Sequence, residues 1–199
     1  MSPPPIVLAS KSKARRAVLS GAGVSFSVAN SEVDEDAIKA TVMKAGGTPK
    51  SVAEVLAETK AVKISQSREG LVIGADQTLE FSGQLYDKAL TLAEARQRLR
   101  TLRGASHSLH SAVAVAEGGA VIWRETVSAN LTMRPFSDAF LQDYLKSEGK
   151  HALGSVGCYR LEGLGAQLFS EIQGDYFTIL GLPLMGLLDL LRRRGAMAS

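Results

Sequence analysis

Two hydroxyls and two adjacent arginines follow the first apolar run of this 199-residue chain. Ile6, Val7 and Leu8 read as a strand that stops at Ala9 and Ser10. Ser12 follows, and Arg15 and Arg16 then fall in the first turns of a helix. Free backbone N–H groups at a helix start, hydroxyls beside them and guanidinium forks within reach make a site for phosphate. Further along, Asp76 follows the apolar run Leu71–Ala75 and is expected at the exit of a buried strand. Ligands bind at the carboxyl ends of strands in such sheets, so Asp76 is a candidate metal ligand or general base. The competing reading is an aspartate that merely forms a turn.

Lys60, late in a helical stripe, and Lys88, in Leu85–Leu90, are candidate counter-ions for phosphate. A lone lysine is more often a surface residue. Glu35, in the acidic stretch Val33–Asp36, is a candidate to join Asp76 around Mg²⁺ or Mn²⁺, which prefer hard oxygen ligands. Other groups carry less. His107, His110 and His151 lack metal-ligand spacing, and the first two should face opposite sides of one strand. Cys158 has no activating neighbours and reads as a packed residue. Trp123 reads as core. Neither a P-loop nor a dinucleotide fingerprint is present.

The elements that must position these groups are legible from periodicity. Helices are expected from about Ser12 to Ser20, over Ser51–Ser67 behind an S-V-A-E capping box, over Thr91–Arg103 behind T-L-A-E, over Phe136–Ser147, and over Leu184–Arg194. Strands are expected at Ile6–Leu8, Ser25–Val28 and Leu71–Ala75, with a hairpin turning at Ser82-Gly83. Two more are expected around Glu117-Gly118-Gly119, and Asn130–Arg134 continues the second of them. Asn30–Pro49 reads as a loop with a short helix, and Gly149–Gly174 as a glycine-rich stretch of short apolar runs. This order gives an α/β or α+β class with a partly antiparallel sheet.

Composition sets the bounds. With 45% hydrophobic and 22% charged residues, the chain can bury a core in one domain spanning 1–199. One cysteine excludes an internal disulfide. No apolar run is long enough to span a bilayer, and the start lacks a basic leader, so a cytoplasmic protein without membrane partners is expected. The net charge of +3 is spread along the chain, which argues against nucleic acid as a partner.

Six ordered segments resemble the Maf family of nucleoside triphosphate pyrophosphatases. Ile6–Leu19 resembles its L-A-S-x-S-P-R-R opening. Ser31–Asp36 resembles V-D-E, Glu58–Ala61 resembles E-K-A, and Leu71–Gln77 resembles I-G-A-D-[TQ]. Leu85–Leu90 resembles the G-K-P element, and Ser155–Leu184 the glycine-rich tail ending in G-L-P-L. The resemblance implies an elongated α/β protein with a cleft between two lobes, similar to inosine triphosphatases. It implies hydrolysis of a nucleoside triphosphate to the monophosphate and pyrophosphate, a divalent metal and a homodimer. Asp76 matches the catalytic acid, Ser10, Arg15, Lys60 and Lys88 match phosphate-contacting positions, and Glu35 matches a carboxylate tied to metal or catalysis.

The departures bear on selectivity. Lys13 stands where the family has proline, and Ala14 where a base-selecting arginine or tryptophan is usual. Gln77 with Glu162 resembles the 7-methyl-GTP pyrophosphatase branch; a carboxylate there accepts from the N–H groups of a guanine edge. The G-K-P element has become Asp87-Lys88-Ala89, and a loop without proline is expected to be looser. The alternative function is a non-catalytic, nucleotide-sensing regulator of septum formation. Intact Asp76, Lys60 and Lys88 argue against it.

Overall fold

The computed structural model describes residues 3–198. Its centre is a mixed sheet ordered β2 (Ser27–Val28), β1 (Ile6–Ala9), β3 (Leu71–Phe81), β5 (Ser106–Glu117), β6 (Ala120–Met133) and β7 (Phe169–Gln173), with β4 (Gln84–Tyr86) also paired to β3. Strand β1 (Ile6–Ala9) is buried throughout and runs parallel to β2 (Ser27–Val28) and to β3 (Leu71–Phe81). The other pairings, β3 with β4 (Gln84–Tyr86) and the meander β3, β5 (Ser106–Glu117), β6 (Ala120–Met133), β7 (Phe169–Gln173), are antiparallel. The expected α/β class with a partly antiparallel sheet is what forms.

Strand β3 differs from expectation in a way that matters. It runs unbroken for 11 residues through Asp76, so the aspartate lies mid-strand and not at a strand exit. Continuous pairing of Val72–Glu80 with β5 holds the strand together. The opposite edge is discontinuous. There β1 pairs only with Leu71–Gly74, and β4 only with Leu79–Phe81. Among the described residues Ala75–Thr78 has no strand neighbour on that side, and this gap is where the chain can place a ligand site beside inner-strand residues. The β3–β4 hairpin turns at Ser82 and Gly83, both at positive φ (52° and 76°), as a twisted two-residue hairpin requires.

Helix α1 (Lys13–Gly21) is capped by Ser12, whose hydroxyl accepts from the Arg15 amide. Asn30–Pro49 is more ordered than its polarity suggests. It carries a ten-residue helix, α2 (Glu35–Lys44), capped by Asp34 and with Glu35 as its first residue. None of its side chains is buried, so no apolar stripe announces it. Helix α3 (Pro49–Ser65) starts two residues before the expected Ser51. Thr48 is the cap, and Ser51 returns the bond to the Thr48 amide. Pro49 favours this start because its fixed φ suits the first helical position. Helices α4 (Leu92–Leu102), α5 (Asp138–Glu148), α6 (Tyr176–Ile179) and α7 (Met185–Arg193) complete the fold. Two short 3₁₀ turns, Gly149–Gly154 and Leu164–Leu168, lie between α5 and β7.

The apolar interior falls into two main clusters. One gathers Leu8, Leu19, Ile73, Val113 and Leu187 around β1, α1 and α7. The other gathers Leu79, Leu99, Leu109, Leu141 and Tyr159 around α4 and α5. Strands β3 and β5 feed both. A third, smaller interface sets the position of α3. Ala53, Ala57 and Ala61 pack on Ala112, Ala114 and Ala116, and Thr78 Oγ1 donates to the Pro49 carbonyl at 2.8 Å. Gly74 completes it: a Cβ there would stand 2.2 Å from the Ala57 carbonyl oxygen and 2.6 Å from the Ala61 nitrogen. The helix therefore lies directly on the β3 backbone, one turn from Lys60.

Candidate active site

The close approach of α3 places Lys60 over Asp76. Lys60 Nζ lies 2.6 Å from Asp76 Oδ1 and 2.7 Å from Glu35 Oε1, so a single ammonium bridges both carboxylates. Lys60 and Asp76 are buried, while the Glu35 side chain is about half exposed. Burial alone would push the Glu35 carboxyl up. The hydrogen bond and charge of Lys60, with Lys39 and Lys88 nearby, outweigh that and hold it below the usual carboxylate range.

The other wall is the amino-terminal turn. Ser10 Oγ accepts from the Ser12 amide at 3.2 Å and from Arg15 Nη1 at 3.3 Å, leaving its own hydrogen to donate. Arg15 is buried inside the gap along β3. Its Nη1 donates to the Ala75 carbonyl at 2.9 Å and its Nε to the Gly181 carbonyl at 2.8 Å. The guanidinium thus supplies, at Ala75, one hydrogen bond that a neighbouring strand would have supplied. Burial pulls its pKa down, opposed by the charges of Asp76 and Glu35. Ser10, Arg15, Glu35, Lys60, Asp76 and Lys88 all line one cleft of about 930 Å³.

Lys88 is at the cleft lip. Its pKa is lowered, first by desolvation and then by the charge of Arg15. The cleft is also lined by Leu85, Tyr86, Val156 and Leu161, by Lys150, His151 and Arg160, and by the exposed Glu162. Ala14 and Gln77 also line the cleft. Gln77 Nε2 donates to Ser111 Oγ at 2.9 Å and to the carbonyls of Thr178 and Ile179 at 3.1 and 3.0 Å. Its amide nitrogen is therefore bound to the floor, and its oxygen is the atom left to meet a ligand.

Every site residue expected from sequence lines this cleft. Sequence reasoning missed Lys39, which also lines it and binds Asp36 and Asp87. The signal was present: Glu35 and Lys39 are four apart, hence on one face of α2. Of the histidines, His107 and His110 lie in β5, whereas His151, in the 3₁₀ turn Gly149–Gly154, lines the cleft. His107 Nε2 is 2.6 Å from Tyr159 Oη. On the opposite face His110 sits between Ser128 Oγ and Glu80 Oε2, at 2.7 and 2.9 Å. Cys158 is buried.

Among the described residues no group of three or more His, Cys, Asp and Glu is gathered for a metal. Two carboxylates converge on one point, held by the Lys60 ammonium. Such a pair is enough for Mg²⁺ or Mn²⁺ when phosphate oxygens and water complete the shell. Glu35 and Asp76 together offer the hard oxygen ligands that such an ion takes.

A family model described as Maf-like protein matches residues 5–194. The chain belongs to the Maf family. Similar relatives cover nearly its whole length. A "Nucleoside triphosphate pyrophosphatase" of Caulobacter vibrioides is 57% identical over 197 residues, covering 99% of each chain. A "7-methyl-GTP pyrophosphatase" of Brucella abortus is 46% identical, covering 94% of this chain and 95% of its own. Another of that name, from Rhizobium meliloti, is 45% identical, covering 97% and 98%. Within this Maf chain the family's ordered motifs are the ones that meet at the cleft.

Proposed function

We propose that the protein is a nucleoside triphosphate pyrophosphatase, converting a triphosphate to the monophosphate and inorganic pyrophosphate. The observation that carries this reading is the shared cleft. A buried carboxylate with its ammonium partner and a hydroxyl and guanidinium wall line the same cleft, and Tyr86 and Leu161 in that lining offer apolar surface to a base. The names of the relatives point the same way.

In this reading the triphosphate lies along Ser10, Arg15, Lys60 and Lys88. Asp76 accepts a hydrogen bond from a water molecule and takes its proton as the oxygen attacks the α-phosphorus. The α–β anhydride bond breaks and pyrophosphate leaves. Lys60 and Lys88 bear on the charge that develops on the transferring and leaving oxygens, and Ser10 Oγ–H orients one of them. A divalent cation held by Glu35 and Asp76 would supply further charge neutralisation on the phosphates. Glu162 and the Gln77 oxygen offer acceptors to a guanine edge, and their pairing favours 7-methyl-GTP. Ala14 presents no ring to stack on that base. The chain is read as one domain, acting in the cytoplasm as a homodimer.

The test is release of pyrophosphate from 7-methyl-GTP, dTTP, UTP, CTP and GTP with Mg²⁺ or Mn²⁺. Turnover with 7-methyl-GTP preferred is the expected result. Preference for the pyrimidine triphosphates would overturn the base assignment. Binding without turnover on all five would favour the nucleotide-sensing regulator instead.

A further inference from the structure

The Asp87-Lys88-Ala89 segment lacks the proline that would stiffen a G-K-P element, yet it is held from two sides. On one side Asp87 Oδ1 accepts from Lys39 Nζ at 2.6 Å. On the other the Asp87 carbonyl accepts from Arg98 Nη1 at 2.8 Å. The same Arg98 nitrogen binds the Val156 carbonyl at 2.7 Å, and its guanidinium lies 4.6 Å over the Tyr86 ring. The backbone of the loop is thus fixed to α4, and its side chain is fixed to α2. Ala89, two residues on, is buried in the core, so the loop is pinned there as well.

Helix α2 carries Glu35 and Lys39 four residues apart on one face. Through Glu35 that face meets Lys60 and the Asp76 cluster. Through Lys39 it meets the loop that carries Lys88. The Lys39 side chain is only 19% exposed although Asp87 is 62% exposed, so the lysine is well ordered for an ion pair at a cleft rim.

We propose that the Lys39–Asp87 pair is a strap across the cleft, with Asp87 a positioning residue that holds Lys88 on the triphosphate. The strap does the work that proline does in the G-K-P pattern. This inference rests on the pyrophosphatase reading of the site. Lys88 lies in the field of Arg15, Asp76, Glu35 and Lys60, where a small displacement changes the charge presented to the phosphates. An ion pair near the surface contributes little by itself, on the order of a few-fold in any equilibrium. Its leverage comes from geometry, because misplacing a group that must meet a reacting substrate costs far more.

The test is a four-protein cycle: parent, Asp87→Asn, Lys88→Ala and the double variant, with thermal midpoints checking that each is folded. The substrate is 7-methyl-GTP, or whichever triphosphate of the panel the parent turns over fastest. Asp87→Asn should lower kcat/KM about tenfold, mostly in kcat, and Asp87→Glu should restore most of it. In the Lys88→Ala background, Asp87→Asn should change nothing further. An Asp87→Asn protein with parental kinetics would overturn the strap, as would an effect of the same size in both backgrounds. Binding of inorganic pyrophosphate by calorimetry, repeated on the four proteins, reads the placement of Lys88 without turnover. The same non-additivity there supports the strap, and additivity overturns it. Absence of turnover by the parent on every triphosphate would instead strike the pyrophosphatase reading.

Discussion

Arg15 Nη1 donates to the carbonyl of Ala75 at 2.9 Å, and so ties the amino-terminal turn to the residue that precedes Asp76. The bond fills the stretch of the β3 edge that neither β1 nor β4 covers. Two halves of the site, distant in sequence by some 60 residues, are locked in register by it.

This tie has a measurable cost of removal. Arg15→Met should leave the Ala75 and Gly181 carbonyls without their donors and lower stability by about 3 kcal/mol, read from urea unfolding. Arg15→Lys should recover only part, since one ammonium cannot span both carbonyls. Unchanged stability in Arg15→Met would refute the anchoring role.

Asp76→Asn keeps the shape of the side chain and removes its basicity. We expect pyrophosphate release to fall by about 10²-fold or more with the fold intact by circular dichroism. Turnover near the parental rate would remove Asp76 from the chemistry.

Metal dependence can be separated from nucleotide binding. Chelation with EDTA should abolish turnover, and Mg²⁺ or Mn²⁺ should restore it. Glu35→Gln should raise the metal concentration giving half-maximal rate by about tenfold, as expected when one of two carboxylate ligands is lost. An unshifted metal titration in that variant would exclude Glu35 as a ligand.

His107, which does not itself line the cleft, gives the protein a pH signature in its stability. Burial lowers its pKa to about 4, and its Nδ1 has no hydrogen-bond partner among the described residues. Below its ordinary value of 6.5 the unfolded chain takes up a proton that the folded chain refuses. Stability therefore falls as pH drops from 6.5 towards 4, by about 3 kcal/mol from this residue. His107→Gln keeps a partner for Tyr159 and cannot titrate in this range. Its urea midpoint should be flatter over that interval, and an identical slope would refute the assignment.

Much of this was readable from the chain, for identifiable reasons. The cluster of Ser10, Arg15, Lys60, Asp76 and Lys88 announces itself because each residue sits in a distinctive local motif. Strands β1 and β5 and helices α1 and α4 follow from plain apolar patterns and caps. Helix α2 buries no side chain, so it carries no period to detect in the sequence. The position of Asp76 within β3 depends on where β1 and β4 stop, which is a fact of pairing and not of local sequence. Arg15 reads as a phosphate ligand from its motif. Its bonds to Ala75 and Gly181, over 60 and 166 residues of separation, could not be seen.

Gly74 sets the distance between a helix and a strand, and thereby the length of the contact between Lys60 and Asp76. The atoms that an alanine methyl would strike belong to the α3 main chain, which cannot rotate away as a side chain would. One added carbon would therefore have to lift the helix as a whole, parting acid from base without altering either. In this molecule the smallest residue acts as the gauge for the most highly charged one.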